Sequence, residues 1–171
     1  MYKEINFTEN SKELLDQLQK GAFLTVKSGD QVNTMTIAWG SLGFMWYKPM
    51  FTAMVRYSRY TYELIEKAED FTVSFPLNGQ LKQELGICGT KSGKDMDKFG
   101  ECNLTLKEGE VVNSPIIDEC DLHIECKIVY KQPMDENAVC QEIKDKAYGN
   151  GNYHVLYYGE IVKEYVKSTY Q

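Results

Sequence analysis

Apolar positions along the chain keep changing their spacing, and most of the changes are toward the two-residue period of a strand. From Ser11 to Lys20, Leu14, Leu15 and Leu18 fall on one face of a short helix. Asn10 or Ser11 is placed to cap it, and Gly21 stands where a chain leaves a helix with positive φ. Ala22–Val26 reads as a compact strand running to the turn dipeptide Gly29-Asp30. The next strand, Val32–Trp39, alternates Val32, Thr34, Thr36 and Ala38 against Asn33, Met35, Ile37 and Trp39, with a turn expected at Trp39-Gly40. Its narrow Val-Thr-Ala face suits close approach of a ligand or another chain. Phe51–Val55 is a third strand, Tyr62–Ala68 a helix with Leu64, Ile65 and Ala68 inward, and Phe71–Phe75 a strand stopped by Pro76.

Leu81 and Leu85 predict a helix within Asn78–Ile87, ended by Gly86 or Gly89. A Gly-rich, charged loop from Cys88 to Gly100 follows. Strand ends are expected at Leu104, Leu106, Val111 and Val112, around a turn at Glu108-Gly109. Leu122–Lys131 has the cleanest alternation in the chain. Pro133–Asp145 reads as a loop or short polar helix and Gly149–Asn152 as a turn. His154–Val166 is a long last strand with Gly159 as a bulge. Short strands with two or three helices predict a mainly β fold, a barrel with helical connections.

At 171 residues the chain is expected to form one domain, 1–171. A net charge of −6 and a pI near 5.0 argue against nucleic acid as a partner. The start, MYKEINFTEN, has no apolar core of a signal peptide, and no apolar run is long enough for a membrane span. Five scattered cysteines without a C-x-x-C pair, and only two histidines, point to free thiols in a reducing cytoplasm and to no metal site.

The candidate chemistry gathers between Asn33 and Thr61. Asn33, Thr34 and Thr36 beside Trp39 can hydrogen-bond and cover a flat polar ring. Arg56, Ser58, Arg59 and Thr61 precede a helix start, a mixture that suits phosphate. Strand alternation points Arg56 and Ser58 the same way. The alternative is that both arginines are surface charges and the hydroxyls cap the helix. The loop from Ser92 to Phe99 lacks P-loop spacing, yet Lys98 can bring an ammonium to a ligand edge; otherwise it is a solvated loop. His123 and His154 read first as polar-face or core residues. No cysteine has the neighbours of a thiol nucleophile.

Four segments, NTMTIAWG, VRYSRYTYELI, CGTKSGKDMDKF and HVLYYGEI, together resemble the flavin reductase-like, flavoredoxin-type FMN-binding split β-barrel family, in order and over essentially the whole chain. The resemblance implies a six-stranded Greek-key barrel and a homodimer with FMN near the subunit interface. It would place the Asn33–Trp39 segment, with Asn33, Thr34, Met35, Thr36 and Trp39, along the isoalloxazine. Arg56, Ser58 and Thr61 would lie by the phosphate and ribityl chain, where Arg59 joins them as a cofactor-binding candidate on its chemistry. Ser92, Gly93 and Lys98 would come from the following loop, with Lys98 near the ring. His154 matches a last-strand position that approaches the flavin, although Asn152 and Tyr153 replace the Gly-Asp that often precedes it.

The expected function is an FMN-binding oxidoreductase. It would pass electrons or hydride from a reduced donor, NAD(P)H, to a flavin, a metal chelate or a redox partner protein. A flavoredoxin-type carrier without a nicotinamide substrate, and a cofactor-less dimeric binding module, are the alternatives; pyridoxamine-phosphate-oxidase-like chemistry fits the motifs less well. No G-x-G-x-x-G is present, so NAD(P)H would stack on the flavin without a Rossmann domain.

Overall fold

The alternating apolar faces of six long strands meet around one core, and that convergence sets where the chain's polar residues can gather. A computed structural model describes residues 2–170. The elements run β1 (Tyr2–Glu4), α1 (Ser11–Leu18), β2 (Ala22–Ser28), β3 (Gln31–Ile37), β4 (Gly40–Met45), β5 (Lys48–Arg56), α2 (Tyr60–Ile65) and β6 (Asp70–Phe75). They continue with α3 (Lys82–Thr90), α4 (Lys98–Glu101), β7 (Leu106–Lys107), β8 (Ile116–Ile117), β9 (Leu122–Pro133), α5 (Gln141–Ala147) and β10 (His154–Lys167). A 3-10 turn, Glu136–Ala138, lies between β9 and α5.

The main sheet is antiparallel, in the order β3-β2-β6-β9-β10-β5-β4, with β1 on β10. The path β3 to β5 is the six-stranded split β-barrel; β4 and β1 extend it. Leu24, Phe51, Phe71, Phe75, Ile124 and Tyr157 are fully buried in its core. α3 and α4 form a second apolar cluster against Phe23, with Leu85, Cys88, Cys102 and Leu104.

Several details differ from the sequence pattern. Gly40 begins a strand rather than finishing a turn, because β4 folds back on β5 from Gly40↔Ala53 to Met45↔Lys48. The reversal falls at Trp46 and Tyr47, with φ of 53° and 60°, the left-handed pair of a tight hairpin turn. β4 has no clean alternation, since it carries two glycines and leaves Phe44 exposed. The narrow face of β3 is approached by the chain's own α3: the Thr36 hydroxyl donates to Leu85 O at 2.6 Å. A side chain at Gly89 would press on Thr36.

Val111 and Val112 lie in no strand. Glu125, fully buried, accepts hydrogen bonds from the backbone N–H groups of Glu110, Val111 and Val112 and from the Tyr165 hydroxyl. Asp70 receives the N–H groups of Asn113 and Ser114 in the same way. Pro133–Asp145 divides between the end of β9, the 3-10 turn and the start of α5. Gly159 is a bulge as expected: the register slips after Tyr158, and a β-carbon there would lie 2.7 Å from that of Cys126. Among the described residues, no helix is long and apolar enough to cross a membrane, and no cluster of His, Cys, Asp and Glu could hold a metal ion.

Candidate functional site

Strand pairing builds the site. β10 begins directly opposite the end of β5, with His154 across from Arg56. The sheet path ends at β3 on one side and β4 on the other, so the end of β3 is free to form a wall. Between them lie adjoining hollows, and Arg59, the residue just before α2, lines three of them.

The first hollow, about 170 Å³, is a slot between Met35, Ile37, Ala38 and Trp39 on one side and Met54, Arg56 and His154 on the other. Met35, Ile37, Ala38, Trp39 and Met54 give it apolar wall, about matched by the polar surface of Thr36, Arg56, Arg59 and His154. The Trp39 ring, half exposed, lies 5.4 Å from the His154 ring. Flat aromatic ligands suit such walls. Burial, and then the charges of Arg56 and Arg59, lower His154 to about 4, so its imidazole is neutral near pH 7.

The second hollow, about 190 Å³, has different chemistry. Arg59, Lys91 and Lys98 line it with the polar side chains of Asn33, Ser58, Thr61 and Ser92, and no carboxylate is among its lining residues. In a chain of net charge −6 that is not a random surface. Lys98 is buried, and its ammonium donates to Thr34 O at 2.9 Å and to Cys88 O at 3.0 Å. Burial, and in smaller measure the Arg59 charge, push its pKa below the ordinary lysine range. Burial likewise pushes the Cys88 thiol up to about 12, which makes it a poor nucleophile. Asn33 donates to the Thr61 hydroxyl at 2.8 Å. Gly93 is confined against that amide: a β-carbon there would lie 2.1 Å from Asn33 Oδ1. The loop between α3 and α4 thus closes over β3 because Gly93 has no side chain. These free donors and cations match a phosphate.

The third hollow, about 490 Å³, lies outside Arg56 and Arg59, toward Lys146, Asn150 and Asn152. Arg56 donates to the backbone carbonyls of Asn152 and Ala147. Its guanidinium sits 5.1 Å from the Tyr148 ring centroid and 5.8 Å from that of Trp39. Arg59 makes one such bond, to Gly89 O at 2.9 Å, and keeps more of its fork for a ligand. Arg56 therefore lies beside the slot, whereas Arg59 bridges slot and cationic hollow.

The structure brings together most of the residues singled out from the sequence: Asn33, Met35, Thr36, Trp39, Arg56, Ser58, Arg59, Thr61, Ser92, Gly93, Lys98 and His154 line the first two hollows. Thr34 is the exception. Its hydroxyl accepts from that of Thr25 at 3.0 Å and donates to Leu24 O, and it lines neither hollow. Lys98 stands in the cationic hollow rather than along the Trp39 slot, because it anchors two carbonyls there. Thr61 does not cap α2, whose N-cap is Arg59 with no side-chain bond; its hydroxyl serves Asn33. Ser58 instead accepts from Asn152 Nδ2 at 2.6 Å. His123 is remote from the site, sealed beside Ser74, Tyr2 and Tyr165. Ile37 and Ala38 fall within the Asn33–Trp39 stretch expected along the ligand, whereas Met54 and Lys91 were not foreseen and carried no signal of their own.

The model of the flavin reductase like domain matches residues 19–171. An uncharacterized protein of Archaeoglobus fulgidus is 32% identical over 107 residues, which span 63% of this chain and 59% of that protein. This chain therefore accounts for less than two thirds of that relative's length. A solved flavoredoxin from Methanosarcina acetivorans superposes with a TM-score of 0.69 at 26% identity, covering 88% of this chain and 70% of its own. The flavoredoxin of Desulfovibrio vulgaris gives 0.69 at 23% identity, over 86% of this chain and 69% of its own.

Proposed function

The chain belongs to the flavin reductase-like family, and from that premise we propose that it is an FMN-binding redox protein whose flavin ring enters the Trp39 slot. The observation that carries this reading is the junction at Arg59 of a slot walled by Trp39, Met35 and Met54 with a hollow holding Arg59, Lys91 and Lys98 and no carboxylate among its lining residues. A flavin mononucleotide has that division, a flat ring at one end and a phosphate dianion at the other. Asn33, Ser58, Thr61 and Ser92 would supply polar contacts to the phosphate and its polyol chain. Arg59 and Lys98 would supply the charge, and Met35, Met54 and Trp39 would exclude water from the ring.

Bound FMN would contribute the electron and hydride chemistry itself. The residues of this chain bind, orient and shield. Lys98, already desolvated, would lose its uncompensated charge when a phosphate arrives, which favours anion over neutral ligand. Arg59→Ala is expected to weaken FMN binding by roughly 1–3 kcal/mol, the range for a charge-assisted hydrogen bond in a partly buried site. Flavin fluorescence titration reads that change, and unaltered affinity would remove Arg59 from the phosphate site.

For the reaction we favour transfer from NAD(P)H through FMN to a flavin, a metal chelate or a partner protein. The slot opens beside the larger third hollow, which leaves space for a second ligand. Anaerobic NADH and NADPH titration of the FMN-loaded protein tests this. Bleaching of the flavin band supports a reductase, and no reduction by either leaves the flavoredoxin-type carrier. Protein that takes up no FMN would leave only the binding module.

We further propose a homodimer. Phe44, Trp46, Tyr47 and Tyr130 form an exposed aromatic group around the β4–β5 hairpin, a surface that suits a second copy. Light scattering of the purified protein checks the assembly. The unpaired cysteines among the described residues support a reducing compartment, the cytoplasm, as the place of action.

A further inference from the structure

Asn152 and Tyr153, which depart from the family pattern before His154, belong to a small structure of their own. Tyr148, at the end of α5, is buried and stacks on the Tyr153 ring, with centroids 4.5 Å apart and planes 18° from parallel. Arg56 lies over the Tyr148 ring, 5.1 Å from its centroid, and holds the flanking carbonyls of Ala147 and Asn152. These contacts leave the Tyr148 hydroxyl with two neighbours: His154 Nδ1 at 2.7 Å and the Met134 sulfur at 3.3 Å. The Met134 N–H donates to His154 O at 3.1 Å, so the three residues are tied together.

A tyrosine hydroxyl has one proton to give. An imidazole nitrogen is a far stronger acceptor than a thioether, and its distance here is the shorter. The stronger use of that proton is a bond to His154 Nδ1; the reverse arrangement, with Nδ1–H donating to the tyrosine oxygen, spends the hydroxyl proton on the Met134 thioether. With Nδ1 accepting, a neutral imidazole carries its one proton on Nε2. Nε2 has no hydrogen-bond partner among the described residues, and the ring lines the slot between Trp39 and Met54.

We propose that Tyr148 is a positioning residue that holds His154 as the Nε2–H tautomer, so that a neutral donor faces the ligand in the slot. The ligand it recognises is one that presents a hydrogen-bond acceptor at its ring edge, a carbonyl oxygen or a ring nitrogen. This rests on the reading of the slot as a flavin site, although the tautomer itself does not. The device gives His154 a donor role and denies it that of a general base.

Nitrogen-15 spectra of the labelled protein, read through couplings to the imidazole ring protons, report each histidine's tautomer without any ligand. The expected wild-type result is His154 protonated at Nε2, with Nδ1 showing the shift of an acceptor. In Tyr148→Phe the Nδ1 signal should move toward its protonated value, while the distant His123 signals stay in place and certify the fold. A Nδ1–H tautomer in the wild type, or one unchanged in folded Tyr148→Phe, overturns the proposal. Should Tyr148→Phe fail to fold, Met134→Leu removes the rival acceptor. An unchanged His154 tautomer there supports the proposal, and a switched one overturns it.

Adding FMN should then shift the wild-type Nε2 resonance, and Tyr148→Phe should bind FMN about three- to tenfold more weakly, the loss of one neutral hydrogen bond. Bound FMN that leaves Nε2 unmoved overturns the donor role. Wild-type protein that refuses FMN while keeping the tautomer refutes the flavin reading, and with it the assignment of the ligand.

Discussion

Glu125→Gln is expected to cost roughly 3–5 kcal/mol of folding stability, the range of a buried polar network broken at its centre. The carboxylate accepts at both oxygens: Oε1 from Glu110 N–H and the Tyr165 hydroxyl, Oε2 from the N–H groups of Val111 and Val112. Glutamine keeps the shape but turns one oxygen into an NH₂ group that faces donors. Two bonds are then lost, and donor meets donor in a site closed to water. The loop from Gly109 to Ser114 cannot simply shift, since a β-carbon at Gly109 would already lie 2.9 Å from Val112 O and 3.0 Å from Ser114 O. Asp70 still holds the far side through Asn113 and Ser114, which bounds the loss. Urea unfolding of the variant beside wild type measures the difference. A change below about 1 kcal/mol would mean that the loop opens to water at little cost.

The same loop shows what the sequence could and could not convey. Glu125 sits in the clearest alternating strand, and its period assigns it to a polar face. That this face is buried at Glu125 depends on β10 and on a loop elsewhere in the chain, and no local pattern records such a partner. The six barrel strands were legible because each buries one apolar face in a common core, so that periodicity and packing agree. β4 was not, because its glycines and exposed aromatics serve a hairpin edge. β1 was not, because its few residues are held by pairing with β10 and by distant contacts of Tyr2 with Asp118, His123 and Tyr165.

The site was legible where local chemistry was unusual. Arg56, Ser58, Arg59 and Thr61 stand within six positions, and β10 and α3 then bring His154 and the Ser92–Lys98 loop beside them. The division of labour between the two arginines was not legible. Strand alternation favoured Arg56, but the end of α5 and the loop before β10 each supply a carbonyl that occupies its guanidinium. Arg59, three residues beyond the strand and just before α2, inherits the open position. Thr34 failed for a related reason: alternation separates it from Asn33 and Met35, and the hydroxyl of Thr25 meets it on the other face.

Glu164→Gln should make the protein more stable at alkaline pH, an uncommon outcome for a core substitution. Glu164 is 3% exposed, and neither carboxylate oxygen has a hydrogen-bond partner among the described residues. Its neighbours across β9 are Ile124 and Cys126, and the charged group that faces it, Glu9, repels it further. Burial first, and Glu9 second, raise its pKa to about 8 from the ordinary 4.5. The folded state thus keeps a proton that the unfolded chain has already released. Below the unfolded value both states are protonated and no penalty exists. As pH climbs from there toward the folded value, each unit removes about 1.36 kcal/mol of stability. Beyond the folded value both states are ionised and the loss is constant. Glutamine resembles the protonated acid in shape and cannot ionise, so the variant escapes that slope. Between about pH 5.5 and about pH 8.5 its advantage over wild type should grow by on the order of 3 kcal/mol. Urea unfolding at the two pH values reads the difference directly, and parallel stabilities across that window would show that Glu164 finds a partner or water when it ionises.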